Sequence, residues 1–337
     1  MANASITLEC TKITPQCPAD GSGLSYPPNV AASVIFLSIF ALSVPAHVFL
    51  GWKFKTWTFL AAMLLGSLFE VTGYLGRALL HSNPYKLITF LIQIVTLTQG
   101  PAFYSAGIYL CLSRLVVVYG VTLSRVKPIT YTRAFIFFDL ICLCLQGGGG
   151  GVASSADNNK SMMDLGNKLM LVGLILQIVF MLFFAMCCLD YFWRVRKNPG
   201  RKNPQFAKLR TSSKFKGFLV ALFGCYCAIF VRCVYRVVEL GGGWDNALMR
   251  KEVPFIVFES SMMVIAAWIL IAFHPGPCFQ GAFNFQHYQQ LQDEHSKEDI
   301  SLIAGKYNAR NRSPSPSGYG VDLRPEPYDP MRIGRPF

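Results

Sequence analysis

The sequence predicts an all-α membrane protein with seven transmembrane helices, because apolar stretches long enough to cross a bilayer recur along the chain. Of its 337 residues, 53% are hydrophobic and only 15% are charged, and the mean hydropathy is +0.38. A soluble domain of this size would need more charged surface. The net charge of +13 lies largely in short loops between the apolar stretches. Basic residues there set membrane orientation, and no nucleic-acid recognition motif accompanies them, so nucleic acid is not an expected partner.

Seven apolar stretches define the predicted spans, at residues 29–52, 57–80, 86–120, 131–152, 168–192, 215–238 and 252–273. The third is too long for one straight crossing and too short for two crossings joined by a loop. Gln99-Gly100-Pro101 in its middle predicts a single kinked helix that projects past the membrane, because proline lacks a backbone donor. Five consecutive glycines, 147–151, end the fourth span, and we interpret them as a site of close helix packing rather than a hinge.

The basic loops predict the orientation of the chain. Lys53 and Lys55, then Arg125 and Lys127, then the strongly basic loop 194–216 all fall on the same side of a seven-span layout. The positive-inside rule makes that side cytoplasmic. The N-terminus is therefore expected outside and the C-terminus in the cytoplasm.

The predicted domains are an extracytoplasmic N-terminal segment, a membrane domain and a cytoplasmic tail, at residues 1–28, 29–276 and 277–337. The tail is rich in Gln, Ser, Pro and charge, which predicts disorder. In the outside segment, Cys10 and Cys17 are a disulfide candidate. Asn3 and Asn159, each two residues before a serine, are glycosylation candidates under this orientation.

Polar and charged residues within the spans are the main candidates for function, because charge at membrane depth is expensive. The candidates for a ligand-binding or translocation role are Glu70, Arg77, Asp139, Gln146, Arg232, Arg236, Glu239 and Glu259. A helix places Arg232, Arg236 and Glu239 on one face, since they are four and then three residues apart. We expect the charged residues to form a network lining a cavity open toward the outer leaflet. Pairing that simply locks helices together is the alternative interpretation.

The sequence contains none of the common enzyme signatures. There is no Walker A sequence, no Gly-x-Ser-x-Gly elbow and no His-Glu-x-x-His pair. The five histidines are scattered, and most cysteines lie inside apolar spans, where they are best explained as small core residues. We therefore expect no catalytic residue, no metal site and no cofactor.

A series of motifs runs in order through the spans. It comprises the stretch from Glu70 to Arg77 (Glu-Val-Thr-Gly-Tyr-Leu-Gly-Arg), Gly100-Pro101-Ala102-Phe103, Asp139 and Gln146 with the glycines that follow, Arg232 with Tyr235, Arg236 and Glu239, and His274-Pro275-Gly276. This series resembles the fungal lipid-translocating exporter family, whose members are linked to aminocholesterol resistance and sphingoid-base release. The resemblance covers about residues 26–276. Glu259 departs from it, because the family usually has an aspartate there.

The resemblance implies a plasma-membrane, or alternatively vacuolar or other endomembrane, exporter of amphipathic lipids such as sphingoid long-chain bases or sterol-like compounds. Such a protein contributes to lipid homeostasis or to resistance against toxic compounds, and its partners are membrane lipids. The amine of a sphingoid base would pair with Glu70, Glu239 or Glu259. Transport would be gradient-driven, proton-coupled or facilitative. A seven-helix receptor or stress sensor is the alternative, although no Asp-Arg-Tyr ends the third span and no Asn-Pro-x-x-Tyr lies in the seventh.

Overall fold

The computed structural model describes residues 28–83, 85–125, 128–155, 159–242, 251–279 and 283. Within this part, seven helices are long and apolar enough to cross a membrane, which confirms the predicted fold class. They are α1 (Val30–Lys53), α2 (Trp57–Ser82), α3 (Leu87–Tyr119), α4 (Pro128–Ser154), α5 (Lys160–Lys197), α6 (Ser213–Gly241) and α7 (Glu252–Ala272). A short helix, Ala207–Thr211, precedes α6, and another, Pro275–Cys278, follows α7.

Two helices are longer than a single straight crossing needs. α3 is one helix of 33 residues with Pro101 inside it, as the sequence predicted. α5 has 38 residues and begins at Lys160, eight residues before the expected start. Asn159 caps it, because its side-chain oxygen accepts a hydrogen bond from the Ser161 amide at 3.1 Å. At about 1.5 Å per residue, α5 is roughly 57 Å long and so exceeds the about 30 Å hydrocarbon core of a bilayer.

α7 changes its helical geometry along its length. It starts with one α-helical turn, Glu252–Pro254, continues as a π-helix over Phe255–Ser260, and returns to α-helix over Ser261–Ala272. The Ser261 hydroxyl donates to the carbonyl oxygen of Ile256, five residues earlier, at 2.9 Å. π-Helical turns occur often at functional sites, and this one carries the buried Glu259.

The glycines of α4 bring that helix close to α5. An ideal Cβ placed on Gly149 would lie 2.6 Å from the carbonyl oxygen of Gly166, and one on Gly166 would lie 2.5 Å from the Ala153 amide nitrogen. A Cβ on Gly148 or Gly151 would meet nothing within 4 Å. The structure therefore supports close packing as the role of the polyglycine stretch, and it assigns that role to particular members of it.

The turn after α7 shows what the His-Pro-Gly motif does. Nδ1 of His274 accepts a hydrogen bond from the Gly276 amide at 3.1 Å. Burial lowers the pKa of His274 to about 4, so the imidazole is neutral near pH 7 and able to accept this bond. A Cβ on Gly276 would overlap the Phe54 ring, which belongs to the connection between α1 and α2. The motif thus docks the end of α7 against the loop side of the first two helices.

Several sequence predictions stay predictions. Asn3, Cys10 and Cys17 lie outside the described residues, as does nearly all of the tail. Asn159 is described and exposed. Its use as a glycosylation site depends on the orientation of the chain in the membrane, which also stays a prediction, as do the domain boundaries.

Candidate functional site

The centre of the candidate site is one face of α6. Arg232, Arg236 and Glu239 are buried, with 1%, 3% and 4% of each residue exposed, respectively. Nη1 of Arg236 donates to Oε2 of Glu239 at 2.8 Å, and the hydroxyl of Tyr235 donates to Oε1 of the same carboxylate at 3.0 Å. The three residues therefore lie on a common buried face of α6, as their spacing predicted.

Glu259 connects α7 to this face. Its Oε1 accepts from Nη2 of Arg232 at 2.6 Å and from Nη2 of Arg236 at 2.8 Å, and its side chain has no exposure to solvent. One carboxylate thus serves two guanidinium groups. In a low-dielectric interior such charge-assisted hydrogen bonds are strong, and loss of either sign leaves an uncompensated charge.

Arg232 also forms a hydrogen bond with the backbone of α3. Pro101 has no N–H, so the carbonyl oxygen of Leu97, four residues earlier, lacks the amide donor that a regular α-helix would supply. Nη2 of Arg232 donates to that oxygen. A backbone acceptor inside a bilayer must be satisfied by the protein, and here a side chain from α6 satisfies it.

Arg77 of α2 forms a second pair at the start of α7. Its Nη2 lies 3.2 Å from Oε1 of Glu252, and its guanidinium carbon lies 4.0 Å from the centre of the Phe255 ring. Oε1 of Glu252 also accepts from the Asn29 amide at 2.9 Å, directly before α1. This pair therefore ties α1, α2 and α7 together at one end of the bundle.

Glu70 is a buried carboxyl outside these pairs. Its side chain is 1% exposed, and neither carboxylate oxygen has a hydrogen-bond partner within the part of the chain that the structure describes. It packs against α3 at Gly100, where an ideal Cβ would lie 2.6 Å from Oε1 of Glu70. Gly100 is thus a glycine because the carboxyl group occupies the space that a side chain would take.

Asp139 and Gln146 of α4 make separate contacts. Asp139 is buried beside the hydroxyl of Tyr109, which belongs to α3. Nε2 of Gln146 donates to Oε1 of Gln177 in α5 at 3.0 Å. Among the ion pairs of the described residues, none includes Asp139. The structure therefore brings together the candidates of α2, α6 and α7, whereas those of α4 face α3 and α5.

We call the buried ion-paired residues the charged network; its members are Arg77, Arg232, Arg236, Glu239, Glu252 and Glu259. All except Glu252 are at most 4% exposed. They form a closed cluster rather than the lining of the open cavity that the sequence analysis expected. The physical reason is that side chains of opposite charge satisfy one another, so the space between them closes.

An apolar cavity lies elsewhere, between α3, α5 and α6, with a volume of about 240 Å³. Its lining includes Leu112 and Leu115 of α3, Phe184 and Ala185 of α5, and Leu222 and Tyr226 of α6. The basic loop between α5 and α6 reaches the same end of the bundle, because Nη1 of Arg210 donates to the carbonyl oxygen of Val118 at 3.0 Å. The cavity therefore lies in the half of the bundle next to this loop.

Three contributors to the site were not among the candidate residues predicted from the sequence. Tyr235 is four residues before Glu239, so its contact was visible in the helical spacing. Gln177 was visible as a polar residue in the middle of a span. The Leu97 carbonyl had a weaker signal, namely the proline four residues after it.

A bundle of membrane-length helices joined by buried charges defines a polytopic α-helical membrane protein. The chain belongs to the RTA1-like protein family, whose model matches residues 63–282. This confirms the family that the ordered motifs predicted.

The chain is similar to several proteins of Saccharomyces cerevisiae. The sphingoid long-chain base transporter RSB1 is 31% identical over 283 residues, which covers 75% of this chain and 73% of that protein. Protein RTM1 is 30% identical, with 64% of this chain and 67% of that protein covered. Protoporphyrin uptake protein 1 is also 30% identical, with 65% and 68% covered. No solved structure matches the chain.

Proposed function

We propose that this protein transports amphipathic lipids across a membrane, and that sphingoid long-chain bases are its substrate class. Membership of the RTA1-like family and the likeness to a sphingoid long-chain base transporter support this proposal. We favour the plasma membrane as its location and transport without catalysis as its activity. The structural observation that carries the proposal is the apolar cavity between α3, α5 and α6.

The chemistry of the cavity suits a hydrocarbon chain. Its lining is made of aliphatic and aromatic side chains with one cysteine and one alanine, and no charged residue contributes to it. Transfer of a lipid chain from the bilayer into such a space exposes no apolar surface to water. The nearby basic loop is the segment that we expect in the cytoplasm, which makes the cavity a place where a lipid of the inner leaflet would start.

The charged network suits the polar end of the same lipid. A sphingoid base carries an ammonium group, which would bind a buried carboxylate in place of an arginine or a proton. α6 joins the two regions, because Tyr226 lines the cavity and Arg232 begins the network. Six residues separate them, which is about 9 Å along a helix axis. A lipid that moves along α6 would thus pass from an apolar surface to a charged one.

Filling the cavity should reduce transport. We expect Ala185→Trp to lower the flux of a labelled sphingoid base from vesicles containing the purified protein several-fold, because the indole would occupy space that the lipid chain needs. Met186→Trp is the matched control. It adds a tryptophan on the next residue of α5, where the side chain is 58% exposed and does not line the cavity.

The comparison between the two variants decides the proposal. Both should be purified in folded form, and empty vesicles give the background. Equal flux from the two tryptophan variants would contradict a role for the cavity. Absence of flux from the folded wild-type protein would contradict lipid transport itself.

A further inference from the structure

We propose that Glu70 is the proton-binding carboxyl of the transport cycle, and that it exchanges its proton for the cationic headgroup of the lipid. This inference rests on the proposed function, which leaves the driving force open. It names the group that couples lipid movement to a proton gradient, and it makes the transporter an exchanger of one lipid cation for one proton.

The balance of charge in the network favours a protonated Glu70. The charged network contains three arginines and three carboxylates, and every one of them takes part in an ion pair. Among the described residues, the network is therefore neutral without Glu70. An ionised Glu70 would add an uncompensated negative charge to a buried cluster, which is strongly unfavourable in an interior of low dielectric constant.

The surroundings of Glu70 offer it no free counter-charge. Among the described residues, the charged and titratable groups that face it are Tyr74 of α2, Tyr104 of α3, Arg232 and Arg236 of α6, and Glu259 of α7. The Nη2 atoms of both arginines are directed to Glu259. The hydroxyl of Tyr104 is hydrogen-bonded to the hydroxyl of Ser67 at 2.8 Å. In this closed arrangement none of these groups neutralises Glu70, so a proton is the simplest counter-charge.

The site can also hold the ionised carboxylate when a cation arrives. Nε of Arg232 and Nε of Arg236 make no hydrogen bond within the described residues, so both N–H groups are available as donors. Gly100 gives the carboxyl group room against α3, because an ideal Cβ there would lie 2.6 Å from its Oε1. An ionised Glu70 paired with an ammonium group would therefore keep this position, with arginine donors close by.

The exchange step is balanced in atoms and charge. Protonated Glu70 and the lipid ammonium give an ion pair between the Glu70 carboxylate and the ammonium, together with one released proton. The O–H bond of the carboxyl group breaks, and the proton leaves to water on the side from which the lipid arrives. When the lipid leaves on the other side, a proton from that side restores neutral Glu70. Lipid and proton thus move in opposite directions.

The test uses purified full-length protein in sealed vesicles and a fluorescent long-chain alkyltrimethylammonium lipid as the probe. A quaternary ammonium cannot release a proton, so it cannot dissipate the pH gradient by itself. A membrane-impermeant quencher reports how much probe lies in the outer leaflet. For a one-to-one exchange, a gradient of one pH unit should shift the distribution of the probe about tenfold toward the acidic side. An exchanger works in both directions, so the final distribution does not depend on how the protein is inserted.

Glu70→Gln should fold with wild-type yield, because it keeps the neutral form, but its probe distribution should ignore the pH gradient. Glu70→Asp should retain a gradient response, since it keeps a titratable carboxyl group. Asp190→Asn is the control for loss of a carboxylate. Asp190 is 40% exposed, pairs with Arg194 at 3.0 Å at the loop end of α5, and should change neither yield nor response.

Each other outcome would overturn the inference. A Glu70→Gln protein that fails to fold would show that the ionised carboxylate is structural. A persistent gradient response in that variant, lost instead in Asp139→Asn, would place proton binding on α4. Wild-type flux that ignores the gradient would reject proton exchange and leave lipid transport standing. No wild-type flux of either the probe or a labelled sphingoid base would reject both.

Discussion

Glu259→Gln should lower the stability of the folded protein more than any other single amide substitution in the charged network. The change leaves buried Arg232 without its carboxylate partner and leaves buried Arg236 with Glu239 alone. Loss of one partner from a buried ion pair typically destabilises a protein by about 3–5 kcal/mol. We expect a large fall in the thermal unfolding temperature of the detergent-purified protein, together with a lower folded yield.

A double variant separates charge from shape in this prediction. Arg232→Gln combined with Glu259→Gln removes one charge of each sign, so it should be less destabilised than the sum of the two single variants. Asp190→Asn is again the control, because an exposed ion pair contributes only about 0–1 kcal/mol. Wild-type stability of Glu259→Gln would contradict the structural role of the network and would leave Glu259 free for a ligand.

Gly149→Ala should separate α4 from α5, although it adds only one methyl group. The new Cβ would lie 2.6 Å from the Gly166 carbonyl oxygen and close to the backbone of Met170, so the helices would have to move apart. Overpacking of this kind costs about 1–3 kcal/mol. The separation would also disturb the hydrogen bond between Gln146 and Gln177. Thermal unfolding of the purified protein measures the effect.

Gly148→Ala is the matched control for Gly149→Ala. It lies in the same glycine run, its Cβ would meet nothing within 4 Å, and alanine favours a helix by about 1 kcal/mol over glycine. We therefore expect it to be neutral or slightly stabilising. Equal destabilisation by the two alanines would argue that the run needs glycine for flexibility, which is the hinge interpretation that we set aside.

The sequence was sufficient for the membrane architecture because each span is a long apolar segment with a strong signal. The start of α5 was harder to predict from the sequence, since residues 160–167 include several polar residues and are also compatible with a helix. The Asn159 cap, rather than hydropathy, decides where that helix begins. Spacing also predicted the common face of Arg232, Arg236 and Glu239, because that face is a local property of one helix.

Partners from different helices could not be predicted in the same way. Hydropathy and spacing placed Glu70 and Glu259 on equal terms as buried carboxylates. The structure separates them, because the π-helical turn of α7 carries Glu259 between two arginines and Glu70 faces Gly100. The π-helix has no sequence signature that would have predicted it. For the same reason the sequence predicted a network that lines an open cavity, whereas in the structure the charged side chains pack against one another and are buried.

The bond from Arg232 to the Leu97 carbonyl has a consequence for how the chain is made. α3 leaves the ribosome long before α6, since 135 residues separate the donor from the acceptor. Until α6 arrives, the Leu97 carbonyl lacks the amide donor that Pro101 cannot supply, so it must rely on water, lipid headgroups or insertion machinery. Full burial of α3 in the bilayer is therefore expected to be a late step of biogenesis, and chains truncated before α6 should be recognised as incomplete by membrane quality control.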